Sequence, residues 1–129
     1  MTIAEVAPRL ARGEVKSETL TEECLSQIEA LNPKLNAFIT VIAESALASA
    51  RAADKQIAGG RYRGPLHGIP VAVKDNILTT DDLPTTGGML AFRRYQAPYD
   101  ATLVTKLEAA GAIILAKSTM SELDGWFGD

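Results

Sequence analysis

The chain predicts an α/β fold, on three observations. Short apolar runs rich in β-branched residues (35–41, 69–73, 112–116) read as strands. Between them lie stretches of helical periodicity, 44–58 and one opening near Asp100. The last run, Ala112 to Ala116, is apolar without alternation, which suits a strand buried on both faces. Strand, helix, strand, loop, helix, strand is the pattern that layers helices on a sheet, and two further helices precede it.

The elements follow in order. Ile3, Val6 and Leu10 share one helical face, with Thr2 placed to cap and Arg12-Gly13 to end the helix. Thr19 with Glu22 reads as a capping box for a second helix carrying Leu20, Cys24, Ile28 and Leu31, stopped at Asn32-Pro33. From Glu44 to Ala58, Ala46, Leu47, Ala50, Ala53 and Ile57 line one face, small enough to pack close to a sheet, and Gly59-Gly60 ends the run. In the strand Ile69 to Val73, Val71 and Val73 point one way, Ala72 and Lys74 the other. Pro70 must sit near its start or at an unpaired position. Ile77 to Gly88 is a long polar loop, of a length that in compact domains is functional or mobile. Asp100 caps a helix with Leu103, Val104 and Leu107, closed by Gly111 with positive φ. Ser118 or Thr119 caps a final turn, Glu122 completing a box from Thr119.

Composition bounds the chemistry. The 129 residues are 47% hydrophobic, enough for one core, and no internal boundary, repeat or low-complexity segment stands out. Thirteen basic against 16 acidic residues give net charge −3 with no basic block, so no nucleic-acid partner is expected. No apolar run approaches the roughly 18 residues of a membrane helix, and Met1-Thr2-Ile3-Ala4-Glu5 lacks the basic start of a secretory signal. A cytoplasmic protein is expected, one cysteine fitting a reducing compartment. One histidine and one cysteine do not make a zinc cluster, and no cofactor is expected. Cys24 reads as a small buried apolar side chain on its helix. His67, in the loop entering a strand, reads as structural.

The candidate for chemistry is Lys74. It closes the run Leu66-His67-Gly68-Ile69-Pro70-Val71-Ala72-Val73-Lys74-Asp75-Asn76, at the tip of an apolar strand. Desolvation there would disfavour the ammonium and make a neutral base available near neutral pH. Asp75 and Asn76 read as braces of the following turn through side-chain to backbone hydrogen bonds.

The stretch from Gly64 to Asn76 strongly resembles the first signature of the amidase-signature family. That family includes amidases, the glutamine-hydrolysing A subunit of glutamyl-tRNA amidotransferases, fatty acid amide hydrolases and allophanate hydrolases. Thr85-Thr86-Gly87-Gly88 resembles the Gly-containing loop after the signature strand, and Asp100 through Lys117 to Glu122 its next helix, strand and turn. Upstream, Asn32 to Phe38 also fits. The resemblance implies a mixed sheet flanked by helices, of which residues 1–129 form the first portion as a single incomplete domain.

It also implies a mechanism: a serine nucleophile, a second serine on a cis peptide, and Lys74 taking the proton from that bridging serine. Backbone N–H groups of a Gly-rich segment hold the oxyanion. The expected substrate is a small-molecule amide, with Thr86, Gly87, Gly88 and Met89 lining the acyl pocket. The family's Gly-Gly-Ser-Ser-Gly-Gly-like segment does not occur here. Ser17, Ser26, Ser45 and Ser49 read as helix caps or exposed positions, Ser118 and Ser121 as caps of the last turn. The 129 residues thus carry the base without its nucleophile and would be inactive alone. Gly125-Trp126-Phe127-Gly128-Asp129 reads as interrupted chain, its aromatic pair expected to pack on residues further along. Three readings stay open: part of an amidase or of an amidotransferase of this family, a non-catalytic module that oligomerises, and a split enzyme with the serines on a complementary chain.

Overall fold

A computed structural model describes residues 2–80 and 83–125. Its element order is α1 (Ile3–Ala11), α2 (Ser17–Leu35), β1 (Phe38–Val41), α3 (Ala43–Ala58), β2 (Pro70–Lys74), α4 (Thr102–Ala109) and β3 (Ile113–Ser118). Short 3-10 turns occupy Leu90–Phe92 and Glu122–Asp124. The expected α/β class and the two leading helices are what is observed.

The strands form one mixed sheet in the order β1-β3-β2. β1 runs antiparallel to β3 and β2 parallel to it. β3 is the central strand, which is why Ile113, Leu115 and Ala116 are all buried. The β2–β3 ladder is interrupted once: Val71 lies opposite Ile114, but Ala72 lies opposite Ala116. Leu115 is therefore the extra residue of a bulge. Pro70 is the first residue of its strand, where its missing N–H does least harm.

α3 packs on β3 through alanines. Ala46 and Ala50 meet Ile113, Leu115 and Ala116 in one core cluster, flanked by Cys24, Leu25, Ile28 and Phe38. Cys24 is half-buried there, its thiol pushed up by burial and then by Glu23. A second cluster joins Val6 and Leu10 of α1 to Leu20 of α2 and to Ile69. α1 begins with a capping box in which Thr2 and Glu5 satisfy each other's backbone N–H groups.

Several local caps differ from expectation. α2 starts at Ser17, two residues before Thr19, and its N-cap Lys16 makes no side-chain cap. The Asp54 carboxylate of α3 caps it instead, accepting from the N–H of Ser17 (2.7 Å) and Glu18 (3.1 Å). Nor does α2 stop at Asn32-Pro33; it continues to Leu35 and ends at Asn36 in the left-handed region, φ 48°. The Asn32 side chain exchanges two hydrogen bonds with the Phe38 backbone (2.9 and 3.0 Å), which offsets the cost of a helical residue before proline. Asp100 does not cap α4, whose N-cap is Ala101. Its carboxylate accepts from the N–H (2.6 Å) and hydroxyl (3.0 Å) of Thr80. The Thr119 hydroxyl donates to the Asn36 carbonyl at 2.7 Å rather than capping the last turn, and neither Ser118 nor Ser121 caps it by side chain. Gly111 has the expected positive φ, +87°. The aromatic pair Trp126-Phe127 lies outside the described residues. Among the described residues, no helix is long and apolar enough to cross a membrane.

Candidate active site

Parallel pairing sets the C-terminal ends of β2 and β3 side by side, with Lys74 opposite Ser118 and Val73 opposite Lys117. The loops leaving these ends build the candidate site.

Lys74 does not occupy the dry pocket expected for it. Its side chain is 42% exposed, and its Nζ donates to Asp124 Oδ1 at 2.5 Å. β2 is an edge strand of the described sheet, so the side chain leaves the core toward the turn Glu122–Asp124. That turn is strained. Leu123 (φ 48°) and Asp124 (φ 58°) both sit in the left-handed region without being glycine, at a cost of about 1–2 kcal/mol each. The Leu123 N–H donates to the Gly87 carbonyl at 2.7 Å, which helps hold this conformation.

Asp75, fully buried, fixes the glycine loop. Its carboxylate accepts from the Thr86 N–H (3.2 Å), the Thr86 hydroxyl and the Gly88 N–H (3.3 Å). Its carbonyl accepts from the Gly87 N–H at 3.1 Å. Asp75 is thus a brace, as expected, but of a loop eleven residues on rather than of the adjoining turn. Gly87 and Gly88 have φ of +59° and +74°, and a Cβ on Gly88 would lie 2.9 Å from the Met120 and Ser121 carbonyl oxygens. Glycine is required there for close approach as well as for φ.

Thr86 and Gly87 line an open, mainly apolar cleft of about 440 Å³, with Asn76, Leu78, Thr85, Phe92, Tyr95 and Leu123. Gly88 and Met89 are not on its wall. Of the four expected pocket residues, two therefore line the cleft and two do not.

The buried lysine is Lys117, with no exposed surface at all. Its ammonium donates to the Ile77 carbonyl and to Thr85 Oγ1 (2.9 Å). Burial lowers its pKa to about 8, with Asp75 and Asp100 pulling the other way. Sequence reasoning passed over it. The signal was present: Lys117 directly continues an apolar run without alternation, so it inherits that run's burial.

His67 is structural, as expected. It is buried and stacks on Tyr62, and its Nδ1 accepts from the Arg63 N–H at 3.1 Å. Among the described residues no group of His, Cys, Asp or Glu is arranged to hold a metal ion.

The family model described as Amidase matches residues 19–126. The chain belongs to the amidase family. A putative amidase, AmiD, of Mycobacterium tuberculosis (strain ATCC 25618 / H37Rv) is 45% identical over 122 residues, 95% of this chain and 26% of that protein. The A subunit of the glutamyl-tRNA(Gln) amidotransferase of Halorhodospira halophila (strain DSM 244 / SL1) is 46% identical over 121 residues, 94% of this chain and 25% of that one. The native peptide amidase of Stenotrophomonas maltophilia, a solved structure, superposes with a TM-score of 0.88 at 41% identity, covering 95% of this chain and 25% of that one. The 129 residues thus span about a quarter of the length of the relatives they match.

Proposed function

We propose that this chain supplies the general base of an amide hydrolase, and that Lys74 is that base. The carrying observation is its position. Lys74 ends a strand inside the family signature, beside a braced glycine loop and an apolar cleft of substrate size. The chemistry follows the resemblance. Lys74 takes a proton from a bridging serine, that serine activates the nucleophilic serine, and an acyl-enzyme forms and is released by water. Both serines and the oxyanion donors come from residues outside these 129. Alone, the chain would not turn over.

Lys74 must act as a neutral amine with a serine hydroxyl in reach. Its contact with Asp124 holds the Nζ at the end of β2, and the complete site must exchange that carboxylate for the serine. The substrate is a small amide. The 46% identity to the A subunit of an amidotransferase favours glutamine as a second reading.

The test is Lys74→Ala in the natural full-length protein, assayed on small amides and on glutamine. Loss of hydrolysis by about a hundredfold or more is expected from removal of a proton-transfer group. Unchanged turnover removes Lys74 from the mechanism. An intact mass of the natural protein well above 13.7 kDa is also expected, with the serines on the same chain.

A further inference from the structure

Apart from Leu123, the apolar cleft is walled by three stretches of chain, and one buried cation is tied to all of them. Asn76 and Leu78 come from the limb that leaves β2, Thr85 to Gly87 from the returning limb of the same loop, and Phe92 and Tyr95 from the segment that follows. The Lys117 ammonium, on the central strand, donates to the Ile77 carbonyl in the first limb and to Thr85 Oγ1 (2.9 Å) in the second. Thr85 passes the hold on. Its Oγ1 also donates to the Ile77 carbonyl (3.3 Å) and accepts from the Thr79 N–H (3.3 Å), while its own N–H donates to the Tyr95 carbonyl at 3.1 Å.

Both Lys117 and Thr85 are buried, so water does not compete for these contacts, and a charged hydrogen bond shielded from water is a strong one. Burying an ammonium costs free energy, and a methionine of similar length would fill the space without that cost. A methionine could not do what the ammonium does, which is to draw a carbonyl and a hydroxyl from two limbs onto one point. Asp75 complements it from the other end of the loop, holding Thr86 and Gly88. Asp75 fixes the returning limb; Lys117 fixes that limb's distance from the first one and, through Thr85, its distance from Tyr95.

We propose that Lys117 is a positioning residue for the substrate cleft: through Ile77 and Thr85 its ammonium sets the spacing of the cleft walls, and so which acyl groups fit between them. The tie stands on the geometry. Its meaning for the substrate rests on the reading of the cleft as the acyl site of an amide hydrolase.

The experiment is hydrolysis of a series of primary amides, from acetamide to phenylacetamide, by the natural full-length protein and its variants. The readout is the ratio of kcat/KM for phenylacetamide to that for acetamide. The active fraction cancels in this ratio, so a variant that is only less stable leaves it unmoved. Lys117→Met and Thr85→Val remove the donor and the acceptor in turn; Thr85→Ser keeps the hydroxyl. The ratio should fall by about tenfold in Lys117→Met and Thr85→Val, mainly through KM for phenylacetamide. Thr85→Ser should stay within about twofold of the natural protein. Should Lys117→Met not fold, the Thr85 pair decides alone. A ratio unchanged in Thr85→Val overturns the proposal, as does a Thr85→Ser variant that behaves like Thr85→Val. Hydrogen exchange of the peptides covering residues 75–80 and 83–97 needs no turnover and reads the tie by itself. Both should exchange about tenfold faster in Lys117→Met and Thr85→Val; unchanged exchange overturns the tie. Faster exchange in a protein that hydrolyses no member of the series would uphold the tie and overturn its role in substrate choice together with the amidase reading.

Discussion

The Asp54 carboxylate accepts the backbone N–H of Ser17 at 2.7 Å, from a position 37 residues further along the chain. With Glu18 as its second donor, it does for α2 what a local Ser or Asp does for most helices. Asp54→Ala should therefore lower stability by about 1–2 kcal/mol, the range for loss of a cap. Asp54→Asn, which keeps one acceptor, should lose less. Urea unfolding of the three proteins decides it; equal midpoints would mean that water replaces the cap.

Gly111 and His67 pack closer than any other side chain would permit. A Cβ on Gly111 would lie 2.5 Å from His67 Cδ2, in a residue whose φ is already +87°. Gly60 has a similar φ, +77°, but faces open space. Gly111→Ala should destabilise by about 1–3 kcal/mol more than Gly60→Ala, the excess being overpacking rather than backbone strain. Thermal unfolding of the pair measures that excess.

Acid should find His67. Burial first, and Arg63 second, hold its pKa below the ordinary 6.5. The folded chain then binds fewer protons than the unfolded chain as pH falls past 6.5, so stability falls with it. Protonation also removes the Nδ1 lone pair that accepts from Arg63. His67→Asn cannot titrate, and its urea midpoint should drop less between pH 7.5 and pH 5.5 than that of the natural protein. Parallel drops would assign the acid sensitivity to carboxylates.

Lys117 has the opposite limb. Its folded pKa of about 8 lies below the 10.5 of an ordinary lysine. Between those values the unfolded chain holds the proton and the folded chain gives it up, so this group's contribution to stability rises with pH. Lys117→Met should lose that rise. Urea midpoints at pH 8 and pH 10 for both proteins test it; an equal change in both would show that the ammonium is paired more tightly than its burial implies.

Much of the fold was legible because it is written locally. The Thr2 cap, the alanine face of α3, Pro70 at a strand start and Gly111 after α4 each depend on residues within a few positions. The N-caps that differ involve polar side chains held by, or recruited from, distant parts of the chain. Thr19-Glu22 had the spacing of a cap, but Asp54 reached Ser17 first. Asp100 stood before a helix, but Thr80 holds its carboxylate. Spacing identifies what a side chain can do locally, and only the fold decides which donor it meets. In the site, the family signature marked Lys74 and the glycine loop, whereas the exposure of one lysine and the burial of the other follow from strand order.

The bulge at Leu115 has a consequence for the two lysines. Parallel partners share a face of the sheet, and the observed register matches Lys74 with Ser118. In an unbroken ladder continued from Val71 and Ile114, the partner of Lys74 would be Lys117. Two ammonium groups would then confront each other across adjacent strands, which is destabilising. One inserted residue moves the second lysine half a pleat out of step, so that neighbouring strands of like sequence chemistry present unlike environments. Drawing Leu115 into the ladder opposite Ala72 would do more than straighten a strand: it would set an inner cation against its counterpart, whereas deleting Leu115 would keep Val73 opposite Lys117 and Lys74 opposite Ser118.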